Sequence, residues 1–146
     1  ATGNDGKKQE IQSLEFTAVG TGLGNVDKNH IVNIIQAKVE GHGGNNADFR
    51  LGFKNGKIAW AEKGKNSQLL LDPKTDKPFD ASQQHRIRID FNPGSEKDKV
   101  FIDNKMVLEK NIQMSSDTLL KMGLEVKPTY LNGTVKVDFD DITIVT

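Results

Sequence analysis

Five cations, Lys38, Arg50, Arg86, Arg88 and Lys121, could line a surface for an acidic ligand. Guanidinium and ammonium groups pair carboxylate or sulfate oxygens, and arginine does so bidentately. For Arg86 and Arg88 a solvated outer strand face is the other reading. Trp60 is the only tryptophan and Tyr130 the only tyrosine, and aromatic rings are what the apolar face of a sugar stacks on. Tyr130 follows Pro128 in a loop and is expected exposed, whereas Trp60 shares parity with Ile58 and could be a platform or a core residue. Near the end of the chain, Asp138, Asp140 and Asp141 form an acidic cluster. Asp140 and Asp141 could begin a structural calcium site, since calcium takes several hard oxygens; solvated carboxylates are the alternative.

Other chemistries find less support. His30, His42 and His85 lack metal-ligand spacing; His42 sits in the glycine-rich run 41–46, and His85 reads as a structural residue at a strand entrance. Glycoside hydrolysis needs two carboxylates about 5–9.5 Å apart. Glu40, Glu62 and Glu125 are scattered rather than strung along one strand. The glycine runs 20–24 and 41–44 lead into no helix, so a phosphate cradle lacks its context. There is no cysteine, which excludes disulfides, thiolate catalysis and cysteine-held metal.

The elements that must position these groups are strands. Runs 10–19, 31–39, 48–54, 57–62, 68–71, 85–92, 100–102, 105–110, 122–127 and 134–145 are short and apolar or alternating. Asn55-Gly56, Pro93-Gly94, Asp103-Asn104 and Asn132-Gly133 supply tight turns between them. Arg86–Phe91 and Thr134–Phe139 alternate strictly, as half-buried antiparallel strands do. After Phe139 the apolar parity switches to Ile142 and Ile144, which predicts a bulge at Asp140-Asp141. One short helical turn is expected over 115–121.

About ten strands in 146 residues imply a single all-β domain, an antiparallel β-sandwich over residues 9–146 with residues 1–8 as a flexible polar stub. Phe49, Leu51, Phe53, Ile87, Ile89, Phe91, Met122, Leu124, Val135 and Val137 are its expected core. Lys plus Arg, 20, balance Asp plus Glu, 20, so the basic footprint of a nucleic-acid binder is missing. No run approaches a membrane span, and no signal-peptide pattern is visible; a secreted protein would be seen here as a mature form or an excised module.

Two stretches carry a resemblance. His85–Phe91, then a Pro-Gly loop and Lys99–Lys105, are similar to the strand-hairpin pattern of laminin-G-like, concanavalin-A-like jelly rolls. Within that class, Asn33–Lys38 and Leu119–Glu125 resemble the Gln-Ile-His and Tyr-Phe-Lys-Ala-Gly-x-Tyr strands of alginate-lyase-like and heparin-lyase-like polysaccharide lyases. Lys38 stands where that family has His, and Leu119 and Glu125 where it has Tyr. The resemblance implies a jelly roll with a concave, saccharide-facing sheet. On that sheet Gln36, Lys38, Lys121, Gly123 and Glu125 share the ligand face, while Ala37, Met122 and Leu124 point inward.

The expected function is therefore a non-catalytic carbohydrate-binding or adhesin-type module for an acidic polysaccharide. Its ligand residues would be Gln36, Lys38, Arg50, Trp60, Arg86, Arg88, Lys121, Glu125 and Tyr130, with Asp140 and Asp141 as the metal pair. A divergent polysaccharide lyase using Lys38 or Tyr130 as base, and a protein-binding laminin-G-like module, are the alternatives. The expected setting is secreted or at a bacterial cell surface, attached to further domains.

Overall fold

The computed structural model describes residues 11–39, 47–92, 97–112 and 118–146. Ten strands follow in chain order: β1 (Ser13–Thr21), β2 (Ile31–Val39), β3 (Phe49–Lys54), β4 (Lys57–Glu62), β5 (Gln68–Leu69), β6 (His85–Asp90), β7 (Asp98–Ile102), β8 (Lys105–Lys110), β9 (Thr118–Glu125) and β10 (Lys136–Val145). They form two five-stranded antiparallel sheets, β10-β1-β6-β7-β8 and β5-β4-β3-β2-β9. This is the expected jelly-roll sandwich. No helix among the described residues is long and apolar enough to cross a membrane.

Period-two alternation builds the core. Phe49, Leu51 and Phe53 of β3 and Ile58 and Trp60 of β4 meet Phe16 of β1, Ile87 and Ile89 of β6, and Val100 and Ile102 of β7 between the sheets. The Phe49 and Trp60 rings stack at 4.6 Å and 12°. Trp60 is thus the core residue rather than the platform, because it pairs with Leu51 on the inward side of β4. Its indole Nε1–H donates to Glu62 at 3.3 Å. Glu62 also meets Lys65 and Lys110, each at 3.3 Å, and the second pair ties β4 to β8 of the opposite sheet.

The outer strands depart from expectation. Met122, Val135 and Val137 are only half-buried and Leu124 is 40% exposed, because β9 and β10 are sheet edges with one flank uncovered. The helical turn expected over 115–121 is overturned where it is described. Residues 118–121 continue β9 because they pair with β2, and tertiary pairing outweighs a weak local cap signal. The bulge expected in β10 is present: Thr17 and Glu15 pair with Asp140 and Thr143, and Asp141 takes φ 51.

Turn chemistry follows the dipeptides at two hairpins, while Pro93-Gly94 lies outside the described residues. Asn55-Gly56 and Asp103-Asn104 both hold two consecutive positive φ values, as two-residue hairpins prefer. His85 is structural: its ring nitrogens lie 2.7 Å from Asp103 Oδ2 and 2.8 Å from the Asp80 carbonyl. Buried Asp98 accepts backbone N–H bonds from Asn92 at 2.7 Å and Ile112 at 3.1 Å, closing one end of the sandwich. Burial pushes its carboxyl above the ordinary range, against the pull of those two bonds. The stub 1–8 and the His42 loop lie outside the described residues.

Candidate functional site on the outer face of the second sheet

A rung of three side chains crosses this face. Gln36 of β2 pairs with Arg50 of β3 on one side and with Lys121 of β9 on the other. Leu51 and Ala37, their neighbours, point into the core, so the rung must point outward. The next rung is Gly52, Asn33 and Glu125, and the opposite one includes Lys38.

A bulge puts Asn33 there. Between Asn33 and Ile35 the β2–β3 register slips, so Ile34 and Ile35 are both fully buried and the strand's parity flips. Gly52 permits this bend, since a Cβ there would lie 2.0 Å from the Val32 carbonyl oxygen. Beside Gly52 and Arg50 on the same face stand Ala59 and Ala61 of β4, both buried.

The electrostatics are uneven. Lys38 Nζ lies 3.9 Å and Lys121 Nζ 3.7 Å from the same oxygen, Glu125 Oε2. Burial lowers the Arg50 guanidinium from its ordinary value, while the Glu125 charge acts the other way. The Glu125 carboxylate therefore acts on all three cations. Beneath them Gln36 is 1% exposed, and among the described residues neither its Oε1 nor its Nε2 has a hydrogen-bond partner; the buried Asn33 Oδ1 has none either. Buried amides of this kind are rarely left unpaired, because each forfeits its hydration without return.

Of the expected ligand residues, the structure brings together Gln36, Lys38, Arg50, Lys121 and Glu125. Trp60 lies beneath, in the core. Arg86 and Arg88 belong to β6, in the other sheet, and point away from it because Ile87 and Ile89 take the inward positions. Tyr130 stands in the turn Pro128–Tyr130, half-buried, its ring stacked on His30 at 3.4 Å. That stack fastens the β9–β10 connection to the segment before β2, where the Asp27 N–H also donates to the Tyr130 carbonyl at 2.8 Å.

Asp140 and Asp141, the expected calcium pair, each have a partner within the protein. Asp140 Oδ1 accepts the Asp141 N–H at 2.8 Å, and Asp141 lies 3.6 Å from Arg86. Among the described residues no three His, Cys, Asp or Glu side chains converge as metal ligands.

Asn33 was missed by sequence reasoning. Its signal was a lone amide inside Ile31–Ile35, but strict alternation from Gln36 would have turned it inward.

No family model matches the chain, and no curated protein is significantly similar to it in sequence. Solved structures share its architecture. An alginate lyase of polysaccharide lyase family 7 superposes with a TM-score of 0.63 at 14% identity, over 99% of this chain and 67% of that one. The alginate lyase from Corynebacterium sp. gives 0.68 at 9%, over 98% and 65%. A botulinum neurotoxin type C structure, described as dependent for cell entry on two ganglioside molecules, gives 0.56 at 14%, over 92% and 32%. The chain thus spans about two thirds of the length of these lyases. At such identities the likeness shows the fold, a concanavalin-A-like jelly roll.

Proposed function

We propose that the outer face of β2, β3 and β9 binds an acidic polysaccharide without cleaving it, as a module of a secreted or surface protein. The observation that carries this reading is the buried Gln36 amide, neither atom of which has a hydrogen-bond partner among the described residues, with the unpartnered Asn33 Oδ1 on the next rung, beneath Lys38, Arg50 and Lys121. Amide groups serve sugar hydroxyls, and the cations serve uronate or sulfate groups. That the architecture is shared with alginate lyases and a ganglioside-dependent toxin agrees with a glycan ligand.

Lyase chemistry needs a base in reach of the sugar proton. Of the two candidates, Lys38 is ion-paired and Tyr130 is stacked on His30. Calorimetric titration with acidic and neutral oligosaccharides tests the reading, alongside absorbance at 235 nm on alginate. Retention of acidic oligosaccharides without new absorbance is the expected result. New unsaturated-uronate absorbance would make the protein a lyase, and binding of neutral glycans alone would remove the cation site.

A further inference from the structure

Lys38 and Glu125 lie on opposite sides of the Gln36 rung, yet their charged tips meet at 3.9 Å. The pair therefore reaches over that rung, and Lys121, a member of it, joins the same carboxylate oxygen at 3.7 Å. Gln36 below is fully buried, although its rung faces outward. A carboxylate held between two ammonium groups above an unpaired amide is the arrangement a bound uronate would adopt.

Resting on the polysaccharide reading above, we propose that Glu125 is an internal stand-in for the ligand's carboxylate, so that it sets specificity. An incoming acid must displace Glu125 from Lys38 and Lys121 before it can reach Gln36. A single small anion gains little from that exchange, because it replaces one carboxylate by another. A polymer that also offers hydroxyls to Gln36 and Asn33, and a second acid to Arg50, gains what Glu125 cannot supply. The site thereby selects acidic sugar chains over simple carboxylates.

Glu125→Gln keeps the volume and removes the charge. Titrated with tetramannuronate, the variant should bind about two- to fivefold tighter than wild type, the range of one exposed ion pair. Acetate should compete with the tetrasaccharide measurably in the variant and far less in wild type. Cellotetraose, which is neutral, should show no gain in affinity. Glu125→Ala checks that the gain follows the charge, and circular dichroism checks that both variants fold. If wild type binds tetramannuronate and the variants bind equally or more weakly, Glu125 is a positioning residue, and the inference fails while the binding reading stands. If neither wild type nor folded variants bind tetramannuronate, the binding reading fails and takes the inference with it.

Discussion

The two sheets present two charged outer faces, built from similar residues and arranged to opposite effect. On the β1-β6-β7 face, Arg86 lies 3.1 Å from Glu15 and 3.6 Å from Asp141, and Arg88 lies 3.3 Å from Asp90 with its guanidinium 4.1 Å above the Phe101 ring. Lys99 pairs across strands with Asp90 and Glu109. Arg86 meets its counter-charge in the neighbouring strand and Arg88 within its own, pairs that stabilise a sheet by a few tenths of a kcal/mol each and leave little for a ligand. On the β2-β3-β9 face Glu125 acts on Lys38, Lys121 and Arg50 together, and among the described residues the Gln36 amide and the Asn33 Oδ1 have no hydrogen-bond partner. The second face is set apart by several cations converging on one carboxylate rather than each on its own.

The largest expected effect separates both faces from the core between them. Trp60→Ala should lower stability by about 3–5 kcal/mol, as removal of a buried aromatic does, with denaturant unfolding as the measure. If it instead leaves stability unchanged and weakens glycan binding, Trp60 belongs to the ligand face. Next comes the contrast itself. Lys38→Ala and Arg50→Ala should each weaken an acidic oligosaccharide by about 1–3 kcal/mol in calorimetry, the range for hydrogen bonds to charged groups. Arg86→Ala and Arg88→Ala should change it by less than about 0.5 kcal/mol; equal losses on both faces would erase the distinction. Binding through the first set should also weaken as salt rises, since exposed charges are screened over about 8–10 Å.

A smaller effect concerns the clasp between the sheets. Burial acts to raise the Glu62 carboxyl, but hydrogen bonds from Trp60 and Lys110 outweigh it and hold the group below its ordinary range. A depressed folded value means that the contribution is present above the unfolded value near 4.5 and is lost as pH falls through the folded one. Glu62→Gln should therefore be less stable than wild type by up to about 1 kcal/mol at neutral pH. The gap should close in acid; melting curves with a gap independent of pH would deny the clasp. The smallest expected effect is none. Because Asp140 and Asp141 are engaged with a backbone N–H and with Arg86, EDTA should leave the melting temperature unchanged. A calcium-dependent rise that Asp140→Ala abolishes would establish a metal site there, since a ligand bound only to the native state stabilises it by mass action.

Alternation and turn chemistry are local properties, and they determined much of this protein before any fold was drawn. Arg86–Phe91 could only be a half-buried strand, Asn55-Gly56 and Asp103-Asn104 could only be tight turns, and the parity switch after Phe139 announced its bulge. The Gln36, Lys38 and Lys121 face was legible for the same reason, because a strand's period assigns sides without reference to its partners. What alternation cannot say is which sheet a face belongs to. Arg86 and Lys38 are equally outward, and only the strand order puts them in different sheets. Nor can it settle whether an outward charge meets a counter-charge, since Arg86 finds Glu15 from 71 residues away. Asn33 shows the remaining limit: its side depends on one bulged residue, which Gly52 of the neighbouring strand accommodates. Pairing between strands distant in sequence is a tertiary property, and it decided which of the charges share a face and which meet counter-charges.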